Sequence, residues 1–256
     1  MTQNYLLIDI GNSAAKLGFF SGGARAYLSL PRKLADWERP LTQWFRSTVC
    51  TSVSWEECQA HVSSVCPELW DRLRPMLGSI SDIKFWEDRN VPIPVWVDNK
   101  NAVGSDRLFS ALYAAASKPA KRPAIVCNVG TAQTVDVVSP EGVFLGGQII
   151  PGLSSGLMAL NLKTAFLPKI DRLDENIIAT PFGKNTAEAM QFGAVNLACG
   201  IIERTRKMVK KEFNRAPIIY ISAGAGKIIC NNLQYKAQFV EQMTLQGMYQ
   251  AVKLQE

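Results

Sequence analysis

The chain has 256 residues, of which 47% are hydrophobic and 20% charged, and its net charge is +6. That length suits two domains of ordinary size, and that composition suits a globular protein with a real core. No run of about 18 apolar residues is present, and the start, Met1-Thr-Gln-Asn-Tyr-Leu-Leu-Ile-Asp, lacks a secretory pattern, so no membrane partner and a cytoplasmic location are expected. Tyr5-Leu-Leu-Ile reads as a strand, Asp9-Ile-Gly-Asn-Ser as a turn and Lys16-Leu-Gly-Phe-Phe as a second strand. Ser21-Gly-Gly makes the next turn, and Ala24–Leu30 the third strand. His61-Val-Ser-Ser-Val-Cys is a β-branched run closed by Pro67, with a helix opening at Glu68. Lys84-Phe-Trp and Val95-Trp-Val are further strand candidates. Gly104–Ala116 reads as a helix with Ser105 as its cap and Leu108 and Leu112 on one face.

Ser117-Lys-Pro-Ala-Lys-Arg-Pro is polar, basic and proline-rich, and reads as a linker. Beyond it the opening pattern returns. Ala124-Ile-Val-Cys-Asn-Val-Gly-Thr-Ala aligns with the segment from Tyr5 to Ser13, placing Asn128 on Asp9 and Gly130 on Gly11. Strands follow at Thr134–Val138 and Val143–Ile150. Two halves with the same strand–turn–strand–turn–strand opening, each followed by helices, predict a duplicated α/β domain. The division falls at residues 1–118 and 119–256, and the cleft between such halves is where a ligand is expected.

Two features exclude other classes. The six cysteines, Cys50, Cys58, Cys66, Cys127, Cys199 and Cys230, form no C-x-x-C pair. His61 is the only histidine, so zinc has few ligands and the thiols are expected to stay reduced. The densest basic run, Glu203-Arg-Thr-Arg-Lys-Met-Val-Lys-Lys-Glu, has apolar residues at helical spacing and no interleaved aromatics. It reads as a solvated helix face, and no nucleic-acid partner is expected.

The turns carry the chemistry. In Asp9-Ile-Gly-Asn-Ser-Ala-Ala-Lys, a glycine turn lets backbone N–H groups approach a phosphate, Asn12 and Ser13 add donors, and Lys16 adds a positive charge. Asp9 suits Mg²⁺, directly or through water; taken alone, the segment fits an ordinary hairpin better. The matching Asn128-Val-Gly-Thr-Ala turn favours a polyphosphate gripped from two sides. In Gly104-Ser-Asp-Arg, Asp106 and Arg107 fall in a helix's first turn, where unpaired N–H groups stabilise anions. Asp106 is a candidate proton acceptor and Arg107 a candidate carboxylate ligand, although without further context a plain helix start with a surface arginine is the better reading. Gly146-Gly-Gln-Ile-Ile-Pro-Gly implies a close backbone approach, with Ser154 or Ser155 capping the next helix. Asn185 or Thr186 is expected to cap the helix after Phe182-Gly-Lys.

Other matches fail. Gly152-Leu-Ser-Ser-Gly fits a nucleophile elbow, but the histidine of such a hydrolase follows its serine and His61 precedes it. Ala223-Gly-Ala-Gly-Lys lacks the spacing of a phosphate-binding loop, and no G-x-G-x-x-G follows the first strand.

Five motifs in order, D-x-G-N-[TS] at Asp9, G-x-D-R at Gly104, G-T-A-x-T-x-D at Gly130, G-G-x-I-x-P-G at Gly146 and a late G-x-x-T ending at Thr186, resemble the type III pantothenate kinases. That family belongs to the acetate and sugar kinase, chaperone ATPase and actin superfamily. The S-S-V-x-P segment at Ser63 and T-A-x-L-P at Thr164 extend the resemblance over nearly the whole chain. It implies two ribonuclease H-like (actin-like ATPase) domains per chain, a homodimer, and ATP-dependent phosphorylation of pantothenate at the first step of coenzyme A synthesis. By position, Asp9, Ile10, Gly11, Asn12, Ser13, Ala14, Ala15 and Lys16 would line the ATP phosphates and Mg²⁺, and Thr131 would contact the nucleotide. Gly104, Ser105, Asp106, Arg107 and Thr186 would bind pantothenate, with Asp106 as general base.

The departures bear on function. The family's Asp, associated with a monovalent cation (K⁺ or NH₄⁺), is Asn128 here, which supplies an amide oxygen without a charge. The tyrosine before G-x-D-R is Val97, the late glycine pair reads Ser222-Ala-Gly, and Ser13 replaces Thr while keeping the hydroxyl. Two alternatives follow from Asn128 and Val97: a nucleotide-binding regulatory protein impaired in catalysis, or a kinase of the same fold for another small hydroxy acid.

Overall fold

The computed structural model describes residues 3–48, 57–78, 80, 82–86 and 90–256; Met1, Thr2 and Cys50 lie outside them. Contacts group the chain into two compact units. The first comprises Met1–Pro92, Asn99–Ser110 and Thr244–Glu256, and the second Ile93–Asp98 and Ala111–Met243.

The first unit is built on a five-stranded sheet of β1 (Asn4–Ile10), β2 (Ala14–Ser21), β3 (Ala24–Pro31), β4 (Cys58–Ser64) and β5 (Ile83–Phe85), ordered β3-β2-β1-β4-β5. β1, β2 and β3 form an antiparallel meander, whereas β4 and β5 run parallel to β1. β1 is buried along nearly its whole length, as a central strand covered on both faces must be. On one face Leu6, Ile8 and Ile10 pack with Val62, with Leu41 of α1 (Glu38–Thr48) and with Leu69 and Leu73 of α2 (Pro67–Leu73). Asp36 caps α1 by accepting from the Glu38 and Arg39 amides, and Pro67 opens α2 where no N–H partner is needed.

The C-terminal helix also belongs to this unit, which the linear division at 118/119 does not anticipate. Its apolar face carries Leu245, Met248 and Val252, all buried, and Tyr249 stacks on Phe20 at 4.7 Å. At Gly247 a Cβ would lie 1.9 Å from the carbonyl oxygen of Phe109, a residue of the helix over 105–117, so glycine is what lets the two helix backbones approach this closely.

The second unit repeats the arrangement. β6 (Ala124–Val129), β7 (Ala132–Val138), β8 (Phe144–Pro151), β9 (Ile218–Ser222) and β10 (Gln238–Phe239) are ordered β10-β9-β6-β7-β8. Again three strands are antiparallel and two are parallel to the first of them. β1 and β6 are therefore equivalent, as the aligned segments predict. Ile125, Cys127 and Val129 pack against Leu153 and Leu157 of α4 (Leu153–Lys163), and against Val195 and Ile202 of the 28-residue α5 (Thr186–Phe213). Ile228 and Ile229 of α6 (Gly226–Asn232) close this core.

Three sequence expectations are corrected. Val95-Trp-Val makes one isolated parallel bridge, Val95 to Phe144, and no strand. Ser154 and Ser155 do not cap α4, because they lie inside a helix that begins at Leu153; the capping position falls on Gly152, which has no side chain to bond, and the Ser155 hydroxyl donates to the Thr131 carbonyl. Ser105 does not cap α3 (Ser105–Ser117) but begins it, since the Gly104 carbonyl already accepts from the Arg107 and Leu108 amides. Asn185, one of two expected caps, does cap α5: its Oδ1 accepts from the Glu188 amide, and Glu188 accepts from Lys184.

Candidate active site

In the first unit the site residues gather at the C-terminal ends of β1 and β4. The turn after β1 closes through the Gly11 amide, which donates to the Ala14 carbonyl at 3.1 Å. Asn12 and Ser13 are exposed at its tip, whereas Ile10 and Ala15 are fully buried and can offer a ligand only main chain. The Ser13 carbonyl accepts from the Arg32 amide at 2.8 Å, and the Arg32 guanidinium reaches Glu68 at 2.5 Å. Arg32 thus adds a cation beside the turn that the motif pattern does not contain.

Asp9 is 6% exposed. It faces Lys16 across the β1–β2 pair, with Nζ 3.9 Å from its Oδ2. Burial raises its pKa from 3.8 to about 6; Lys16 opposes the rise and the charge of Asp106 adds to it. Asp106 is therefore within electrostatic reach of Asp9, although the two are far apart in sequence. Its carboxylate folds over Gly104, where a Cβ would lie 2.6 Å from Oδ1, so any side chain at 104 would displace it. Arg107, next along α3, is half-buried.

Ser105 departs from the expected picture. Its side chain is 2% exposed, and its hydroxyl shares a 2.7 Å hydrogen bond with that of Ser63 on β4. Ser63 carries no role in the motif reading beyond its place in S-S-V-x-P, and register on the sheet is what puts it opposite Asp9.

In the second unit, Asn128 is the penultimate residue of β6 and half-buried, and Thr131 stands exposed on the turn after the strand. That turn is fixed from its own unit. The Thr131 carbonyl accepts from the Gly152 amide at 2.9 Å and from the Ser155 hydroxyl at 2.7 Å. At Gly152 a Cβ would lie 2.0 Å from the Gly130 carbonyl, and at Gly224 one would lie 2.7 Å from that of Val129. The close backbone approach expected of Gly146-Gly-Gln-Ile-Ile-Pro-Gly is thus divided: Gly152 lies on the Gly130-Thr131 turn, whereas Gly147 lies on the neighbouring strand β7, where a Cβ would stand 2.4 Å from the Val135 carbonyl oxygen. Thr186 is exposed at the first position of α5. Val97 packs beside Gly146, its Cγ1 3.3 Å from where a Cβ would stand.

Among the described residues no group of three or more His, Cys, Asp or Glu side chains could hold a metal. A Mg²⁺ arriving on ATP needs less, since it keeps water and phosphate ligands and takes one or two carboxylates, which a buried Asp9 beside an open turn fits. Also among the described residues, no helix is long and apolar enough to cross a membrane.

Comparison with known proteins gives a consistent picture. The family described as Type III pantothenate kinase matches residues 5–208. A type III pantothenate kinase from Persephonella marina is 32% identical over 94% of this chain and 95% of its own length. One from Rhodococcus erythropolis is 34% identical over 86% of this chain and 83% of its own. Among solved structures, a Sinorhizobium meliloti protein assigned as a 2-dehydro-3-deoxygalactonokinase aligns over 98% of each chain with a TM-score of 0.54. At 12% identity that likeness bears on the fold alone, and it agrees with the two-domain actin-like α/β architecture.

Proposed function

The chain belongs to the type III pantothenate kinase family, and from that premise we propose how its residues transfer the γ-phosphoryl group of ATP to the primary alcohol of pantothenate. The product is 4'-phosphopantothenate, formed at the first step of coenzyme A biosynthesis. The observation that carries the reading is the pair of carboxylates in the first unit: Asp9 buried beside a phosphate-sized turn, and Asp106 on the first turn of α3 within electrostatic reach.

In this reading the turn from Ile10 to Ala15 follows the polyphosphate with its main chain. Asn12 and Ser13 donate from their side chains, and Lys16 exchanges its pairing with Asp9 for a phosphate oxygen. Asp9 would hold Mg²⁺, which when bound neutralises charge on the β- and γ-phosphates. Thr131 meets the nucleotide from its fixed turn. Gly104–Arg107 and Thr186 bind pantothenate, with Arg107 paired to its carboxylate. Asp106 accepts the hydroxyl proton as the alcohol oxygen bonds to phosphorus, and ADP leaves with the electron pair of the broken P–O bond. Such transfers are loose at the transition state, so orientation and charge neutralisation outweigh early proton removal.

Asn128 supplies a neutral oxygen where a carboxylate would supply charge, so a monovalent cation there is bound weakly and helps turnover only at high concentration. The chain is proposed to act as a homodimer through the second unit. Support comes from exposed apolar side chains there, including Phe166 at 95%, Leu162 at 71% and Leu197 at 62%, near a groove of about 510 Å³ between α4 and α5. A cytoplasmic location is proposed in keeping with five free thiols among the described residues.

The test is ADP release from Mg·ATP with and without pantothenate, in sodium buffer and then with potassium added. Pantothenate-dependent ADP in sodium, with a modest rise in potassium, is the expected result. If folded protein releases none under either cation, the substrate assignment fails. A panel of small hydroxy acids then tests the alternative substrate that Val97, in place of tyrosine, permits.

A further inference from the structure

We propose that Ser63 is a positioning residue for the phosphoryl transfer, its hydroxyl tying Ser105, and so the first turn of α3, to the strand beside Asp9. The inference rests on the reading of Asp106 as the proton acceptor. Its basis is a buried link between two segments that the sequence keeps far apart. Ser63 and Asp9 are directly opposed in the parallel β1–β4 pair, about 4.8 Å apart across the ladder. Ser63 is 1% exposed, Ser105 is 2% exposed, and their hydroxyls are 2.7 Å apart. A serine hydroxyl has one proton and two lone pairs, and burial makes an unmatched one costly, so this pair fixes both rotamers.

What the link fixes is the start of α3. Ser105 is its first residue, Asp106 the second, and the Asp106 carboxylate is folded over Gly104. The other side of the same turn is tethered too. The Ser110 hydroxyl donates to the Asp106 carbonyl at 2.8 Å and lies 3.1 Å from the Thr244 hydroxyl. Asp106 thus projects from a turn held at both edges, with Ser63 holding the edge next to Asp9. One consequence is that the Ser105 hydroxyl is committed to Ser63, so Ser105 meets a substrate with its main chain only.

The experiment compares wild type with Ser63→Ala, Ser105→Ala and the double variant, by steady-state ADP release and by amide hydrogen exchange in the free protein. A group misplaced by about 1 Å can lose about a hundredfold in rate, so each single variant is expected to lower kcat by about ten- to a hundredfold. KM for Mg·ATP should stay unchanged, because the turn after β1 is untouched. The double variant should be no slower than either single one, since both remove the same link. Exchange at the Arg107 and Leu108 amides should rise about tenfold in both single variants, with the second half of α3 unaffected.

Unchanged kcat in Ser63→Ala at a temperature well below its Tm would overturn the proposal, leaving Ser63 as packing alone. So would a double variant slowed by the product of the single effects, because Ser63 would then act apart from Ser105. Wild type without pantothenate-dependent turnover would refute the kinase assignment instead. The exchange measurement still decides whether Ser63 orders the turn, and unchanged protection there overturns the inference.

Discussion

Asp9 and Asp106 are the same residue type in different surroundings, and the surroundings separate their roles. Asp106 is exposed on a helix start; replacing it with Asn keeps the shape and, in the proposed mechanism, removes the proton acceptor. The expected result is a kcat lower by about 10²–10⁴-fold with Mg·ATP binding retained. Near-normal turnover would sink the general-base role. Asp9 is buried, and its folded pKa of about 6 lies above the ordinary 3.8. By linkage, its contribution to stability is fully present below about pH 3.8 and is lost as pH rises through about 6. Asp9→Asn should therefore weaken Mg·ATP binding in calorimetry while leaving Tm at pH 7.5 equal to or above wild type. A Tm several degrees lower, or an unchanged nucleotide affinity, would contradict that account. Site residues of this kind are retained at a cost in stability.

At the scale of elements, glycine contacts and one histidine show where tolerance ends. Gly152→Ala places a methyl 2.0 Å from the Gly130 carbonyl, and neither backbone can yield without moving the Thr131 turn. The expected loss is about 1–3 kcal/mol in urea unfolding, accompanied by a raised KM for ATP. Wild-type values for both would show the contact to be dispensable. In the first unit, β4 is braced to Trp86, the residue after β5, through His61, whose Nδ1 accepts from the Trp86 indole at 3.1 Å. Its Nε2 donates to Gln59 at 3.0 Å, so the ring is held neutral. Burial, reinforced by the positive charge of Lys84, pushes its pKa from 6.5 down to about 4. Because the folded value is depressed, the stability His61 contributes is present above about pH 6.5 and is lost as pH falls towards 4. Between pH 7.5 and 4.5 the urea midpoint of wild type should fall more steeply than that of His61→Gln, and parallel curves would dismiss the effect.

For the whole molecule, the open question is assembly. Leu197 projects from α5 at 62% exposure and also lines the groove between α4 and α5. In the dimer reading, Leu197→Glu buries a charge against an apolar partner surface, and sedimentation should show monomer where wild type shows dimer. Wild type sedimenting as monomer at micromolar concentration would remove that reading. The C-terminal helix makes a separate point about the chain as a whole. It rests in the first unit through Leu245, Met248 and the gap at Gly247, so deleting residues 244–256 would expose the first sheet's core.

The sequence alone determined the three strands that open each half and their duplication, because alternation, glycine turns and the return of the Tyr5–Ser13 pattern at Ala124 are local features. It also carried the family, since five motifs in order survive without knowledge of what they touch. What it could not carry was adjacency between distant segments. That Ser63 meets Ser105, that Asp106 bears on the charge of Asp9 and that the last helix packs under the first sheet depend on sheet register and on which apolar faces find each other. Likewise, Ser155 read as a cap because its local spacing allowed one, yet it lies inside α4, and its hydroxyl donates to the Thr131 carbonyl, brought near by the β7–β8 pairing. Hydrogen bonds and burial are decided in three dimensions, and a one-dimensional pattern can only state which groups are available for them.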